Sequence, residues 1–189
     1  MGLRPINNIV DITNFVLLEI GQPMHSFDYQ YLTGNKIVVR RATEDEKITT
    51  LDDMEFTLNT SNLVICDSEK PQCIAGVMGG KNSCITDETK EIVFESAMFK
   101  RDSIRKTSRA LGKRSDSSSR FEKGTDAYLA ELGMRRALSL IWQLKAGKIA
   151  KTFVDVNHED MQPKVINTTF AKINRPLGID VPKGEIIKS

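Results

Sequence analysis

Few residues in this chain could do chemistry by themselves. His25 sits in Pro23-Met24-His25-Ser26-Phe27-Asp28, where a proline fixes the backbone just before an imidazole with apolar neighbours. A neutral imidazole can give or take a proton near neutral pH, although a lone histidine is more often structural than catalytic. Glu95 ends the apolar run Ile92-Val93-Phe94. Further on, Ser115-Asp116-Ser117-Ser118-Ser119 is dense in hydroxyls. Ser and Asp bond to nearby backbone and define tight loops, so this stretch reads as a loop that is either solvated or lines a polar pocket. Asn14 breaks an apolar helical pattern, and a polar amide near a buried face needs partners or a cavity. Gly76-Val77-Met78-Gly79-Gly80 reads as a tight turn or a place of close backbone approach. It lacks the Gly-Lys-Ser/Thr of a P-loop and the spacing of a dinucleotide fingerprint.

Composition narrows the classes. The net charge of +2 is too small to argue for nucleic acid. Its distribution says more. From Lys100 to Lys123 nine basic residues stand against three acidic ones, a patch that could meet phosphates or could be a solvated helix face. Cys66, Cys73 and Cys84 show no CxxC spacing, which argues against a disulfide framework and a zinc site and fits a reducing cytosol. With His25 and His158 as the only histidines, a His-rich metal centre is excluded. No metal site and no membrane span are expected. No signal peptide precedes Gly2, and the chain reads as an excised piece.

The elements that must position these residues are legible in outline. Residues 7–20 carry Ile9, Ile12, Val16 and Ile20 at helical spacing, with Asn7 as N-cap and Gly21 just past the end. Between residues 36 and 95 short β-branched runs alternate with turn formers, which predicts antiparallel or mixed sheets. Asp102 is the expected cap of a helix that ends at Gly112. A longer helix is expected from about 125 to 145, stopped by Gly147, followed by a strand over 149–156. Residues 158–166 read as a linker and 167–189 as the beginning of a second unit. The expected fold class is α+β, with mixed or antiparallel sheets packed as a layered sandwich or partly closed barrel under covering helices.

Taken together, RPINNIVDITNFVLLEIGQPMHSFD, GVMGG, FESAMF and IRKTSRALGKRSDSSSRFEKGTD resemble the B3/B4 domain of the bacterial phenylalanyl-tRNA synthetase β subunit. The tail TTFAKINRPLGIDVPKGEII resembles the start of that family's B5 module. The resemblance implies a B3/B4 editing domain over 1–157 and a truncated B5-like start over 167–189. It implies hydrolysis of tyrosine wrongly esterified to tRNA(Phe), within a cytoplasmic α2β2 ligase that uses ATP and Mg2+ on its α subunit, with no cofactor in this stretch. On that resemblance Glu95 accepts the phenol hydroxyl and His25 lies near the ester. Asn14 and Pro23 shape the wall, Gly76 and Gly79 border the substrate, and Ser115 and Ser117 line the pocket. The family commonly has Thr at the Ser115 position, so this pocket is expected to be slightly roomier. The alternative is a non-catalytic tRNA- or protein-binding module.

Overall fold

The computed structural model describes residues 2–157 and 165–188. It divides into two units, Met1–Asp155 and Val156–Ser189. Most of the expected linker over 158–166, and His158 with it, lies outside the described residues.

The first unit opens with α1 (Asn8–Ile20). Asn7 accepts a hydrogen bond from the Val10 amide at one end, and Gly21, at φ 82°, closes the other by donating to Leu17. Chain reversal at Pro23 leads into β1 (Met24–Asp28), a strand that hydropathy does not reveal because it buries Ser26 and Asp28. The expected short strands follow as β2 (Val38–Arg41), β3 (Glu46–Thr49), β4 (Glu55–Leu58), β5 (Leu63–Cys66), β6 (Pro71–Ile74), a two-residue β7 (Met78–Gly79) and β8 (Ile92–Ser96).

The strands form three open antiparallel sheets: β1 with β8, the order β2-β5-β6-β7, and the β3-β4 hairpin. The fold is thus α+β. An isolated bridge between Thr50 and Gly80, with the Leu51 amide donating to the Gly79 carbonyl, ties the hairpin turn to the β7 edge.

Three helices follow, α2 (Arg101–Ala110), α3 (Asp116–Phe121) and α4 (Tyr128–Gln143). Asp102 lies inside the first turn of α2, not at its cap; Lys100 holds the cap position without a side-chain bond. The hydroxyl-rich stretch is the helix α3, not a loop. Ser115 and Ser118 cap it reciprocally, each side chain accepting the other's amide, so the local bonding that favours turns here starts a helix. After α4 the chain turns at Lys145, at φ 52°, before Gly147 is reached. The expected strand over 149–156 does not form. Phe153 and Val154 are about nine-tenths exposed (87% and 91%), and alternation without a neighbouring strand makes no ladder.

Two apolar clusters result. In one, Ile12 and Val16 of α1 pack on Ala137 and Ile141 of α4 over Met24 and Phe94 of the β1–β8 pair. The other joins Phe27, Ile48, Leu58, Ile65, Ile74, Ile104 and Phe121, with Val93 and Ala97 against it. The β1–β8 pair therefore lies between the helices on one face and the main core on the other.

In the second unit Thr169 caps α5 (Phe170–Leu177), and Gly178, at φ 67°, ends it. Asn174 donates to Asp180 and to the Val181 carbonyl ahead of α6 (Lys183–Lys188), giving a helix–turn–helix.

Candidate functional site

Strand register makes the site. β1 and β8 run antiparallel with His25 directly opposite Glu95, Met24 opposite Ser96 and Phe27 opposite Val93. Side chains alternate along a strand and directly opposed ones share a face. His25 and Glu95 thus share the face of Phe27 and Val93, toward the main core. The Phe27 ring meets the imidazole edge-on, centroids 4.6 Å apart at 84°.

Gly79 closes the site from the β7 edge. A Cβ built there would sit 2.4 Å from His25 Cε1, 2.9 Å from Nε2 and 2.9 Å from Leu51 Cδ1, so only a glycine lets the imidazole lie against that strand. Cys73, the register partner of Gly79, is buried beside it. Its thiol donates at 3.4 Å to the carbonyls of Ile74 and Met78. Burial holds this thiol well above its ordinary range, and the nearby Glu95 charge adds to the effect.

Nε2 of His25 and Oε2 of Glu95 are both closed off from solvent, and neither has a hydrogen-bond partner. A lone ionised group out of water is disfavoured. Burial accordingly lowers the imidazole to about 4 and raises the carboxyl to about 7. At neutral pH the site holds an uncharged imidazole and a carboxyl near its midpoint. A carboxyl in that condition can accept a proton-bearing group or donate to an oxygen, and native structures seldom leave such buried atoms unused.

The other expected site residues fall into place unevenly. Pro23 is buried at the entry to β1, and its carbonyl accepts a 3.0 Å bond from Gln22 Nε2. Ser115 Oγ donates at 2.6 Å to the Val77 carbonyl and so anchors α3 to the glycine turn. Gly76, at φ 66°, serves the turn itself: a side chain there would run into Phe99, Ile104 and Phe121, not His25. Asn14 lies half-buried on α1 and Ser117 half-buried on α3, and neither is bonded to His25 or Glu95. The structure thus brings His25, Glu95 and Gly79 together, with Pro23 and Ser115 as immediate supports.

Residues without a sequence signal complete the surroundings. Phe27, Leu51 and Cys73 wall the site. Gln22 is fully buried, and its Nε2 also donates at 2.9 Å to the Ala97 carbonyl, joining the open ends of β1 and β8. Its flank packs under Gly133 of α4, where a Cβ would be 2.6 Å from Gln22 Cγ. Among the described residues no group of three or more His, Cys, Asp or Glu side chains is arranged to hold a metal ion, and no helix is long and apolar enough to cross a membrane.

Phenylalanine–tRNA ligase beta subunits of Clostridium acetobutylicum and Bacillus licheniformis are 47% identical over 185 residues and 45% identical over 186 residues. That of Protochlamydia amoebophila is 47% identical over 185 residues. Each alignment covers 98% of this chain and 23% of the relative, so the chain spans about a quarter of their length. The family model of the B3/4 domain matches residues 1–146, which takes in every element from α1 to α4, and on that match the chain belongs to the B3/4 domain family.

Proposed function

We propose that this chain acts within a phenylalanine–tRNA ligase β subunit, where it hydrolyses tyrosine wrongly esterified to tRNA(Phe). The observation that carries the reading is the buried, unpartnered Oε2 of Glu95, on a residue set opposite His25, whose Nε2 is equally unpartnered. Tyrosine is phenylalanine plus one hydroxyl. A mainly apolar synthetic pocket rejects an added hydroxyl by only roughly a hundredfold. A site that must bond the hydroxyl rejects the analogue lacking it by on the order of ten-thousand-fold, because its own polar group would stay unpaired. Glu95 supplies that acceptor.

Ester hydrolysis then needs a positioned water. The water oxygen adds to the ester carbonyl carbon, the bond to the ribose oxygen breaks, and one water proton ends on that oxygen. His25, neutral over the working pH range, orients the water through Nε2 and is at most a weak base. Gly79 fixes the ring, Pro23 and Asn14 shape the wall, and Ser115 and Ser117 line the pocket, Ser115 also holding α3 against the glycine turn. ATP and Mg2+ belong in this proposal to the synthetic reaction on the α subunit of a cytoplasmic α2β2 assembly. No step of the hydrolysis runs through either. Residues 167–189 are assigned to the next, B5-like module.

Deacylation of preformed tyrosyl-tRNA(Phe) by a ligase carrying this stretch tests the reading. Glu95→Ala is expected to lower the rate at least tenfold while leaving phenylalanine charging unchanged. Equal deacylation rates would remove Glu95 as the reader of the phenol and favour the second reading, a binding module without catalysis. One observation favours that second reading: both polar atoms are closed off from solvent in this structure.

A further inference from the structure

An open cleft of about 600 Å3 lies away from His25 and Glu95, between the first turn of α2 and the loop that precedes β5. Four of its lining side chains are cations, Arg41, Lys100, Arg101 and Lys106, with Ser61 and Ser103 between them. Arg41, at the end of β2, is fixed in the wall. It donates at 2.6 Å to the Ser61 carbonyl and at 3.1 Å to Ser103 Oγ, which leaves other guanidinium N–H groups free. Asp102 is the single acidic lining residue, and it is drawn toward Arg101 at 3.7 Å.

The basic excess seen in the sequence is only partly neutralised. Lys113 is neutralised by Asp52 and Arg114 by Glu122. Among the described residues Lys100 and Lys106 have no carboxylate partner. Of the cations without such a partner in this stretch, Lys100 and Lys106 line the cleft, whereas Arg105, Arg109, Arg120 and Lys123 do not.

We infer that this cleft binds the phosphodiester backbone of a single-stranded RNA end. The lining has no aromatic residue and no Leu, Ile, Val or Met, its carbon surface coming from the stems of Lys, Arg and Thr, whereas the centre of a protein-binding patch is rich in aromatic anchors. Cations with hydroxyls suit a repeating anion. Lys100 lies five residues beyond Glu95, so the two backbones are at most roughly 18 Å apart. That distance puts the cleft within reach of the last few nucleotides of a strand whose ester-bearing end lies at His25 and Glu95. This inference rests on the proposal that the substrate is carried on RNA.

The test uses an unacylated, fluorescently labelled single-stranded RNA ending in CCA and titrates this chain across a range of salt. Log affinity should fall with log salt, and Lys100→Gln/Lys106→Gln should flatten the slope by about 1.4, two phosphate contacts at about 0.7 each. Arg101→Gln should flatten it further. Lys47→Gln/Arg135→Gln removes the same charge from other exposed faces and should leave the slope unchanged. An unaltered slope in the cleft variants, an equal loss in the control pair, or competition by polyglutamate as effective as by RNA would overturn the inference. Unchanged urea midpoints establish that the variants fold. Hydrolysis of the tyrosyl ester of adenosine separates this inference from the proposed activity. Equal turnover by wild type and cleft variants, with RNA affinity lost only in the latter, supports both. No turnover by any of them counts against the hydrolytic reading alone, and the salt slopes still decide the cleft.

Discussion

Replacing Glu95 by Gln keeps the side-chain shape and removes the charge, and the structure fixes how stability should respond to pH. Burial raises the Glu95 carboxyl from 4.5 to about 7. Between those values the folded chain holds a proton that the unfolded chain has released, so stability falls as pH rises across that window. A displacement of about 2.5 pH units corresponds to about 3 kcal/mol, fully incurred above pH 7 and absent below 4.5. Glu95→Gln should therefore be more stable than wild type by about 3 kcal/mol at pH 8 and should match it within about 1 kcal/mol near pH 4. His25 works with the opposite sign. Its folded value, lowered from 6.5 to about 4, makes the unfolded chain bind more protons between those limits, so its contribution rises with pH there. In wild type the two slopes largely cancel. In Glu95→Gln the histidine slope stands exposed and stability climbs from pH 4 to 6.5. Cys73 stays protonated throughout, because burial holds its thiol far above this range. Urea unfolding at half-unit pH steps, with linear extrapolation, measures the difference. A constant offset between the two proteins at every pH would mean that the Glu95 carboxyl titrates as it does in water, and the argument for a buried acceptor would fail.

Two further substitutions probe the supports. Gly79→Ala should cost about 1–3 kcal/mol, because Gly79 is held by Cys73 and by the Leu51 amide and its new methyl must displace His25. In a His25→Ala background most of that cost should vanish, and an equal cost in both backgrounds would refute the contact. Ser115→Ala should lower stability by about 2 kcal/mol through loss of the helix cap and of the donor to the Val77 carbonyl. Ser115→Thr should restore it, and an unchanged urea midpoint in the alanine variant would show that the bond contributes nothing.

The helices and most strands were legible because their signals are local. Asn7 and Gly21 bracket α1, and runs such as Leu63-Val64-Ile65-Cys66 carry β-branched residues between turn formers. β1 was not legible. Met24-His25-Ser26-Phe27-Asp28 shows no apolar stripe, since its second face buries Ser26 and an Asp28 whose carboxylate accepts from the Gln30 amide and the Thr89 hydroxyl. α3 was read as a loop for a related reason, the hydroxyls that suit turns having been spent on a reciprocal cap. Alternation over 149–156 misled in the other direction, because a strand needs a neighbour and the described residues supply none. His25 and Glu95 were each noticeable in the sequence, yet no local pattern sets one opposite the other. Register does that, and register is settled by packing on both faces of the pair.

Gln22 gives that register a mechanical consequence. Two five-residue strands have little to stop one sliding past the other, and a single-residue slip would set Phe94 or Ser96, in place of Glu95, across from the imidazole. The carboxamide of Gln22 locks the mouth of the ladder to Pro23 and Ala97, and Gly133 of a distant helix leaves just enough room for it. The alignment of His25 with Glu95 thereby leans on a side chain outside the pair. Bulk added at residue 133 would push on Gln22 and loosen that alignment without touching either member of the pair.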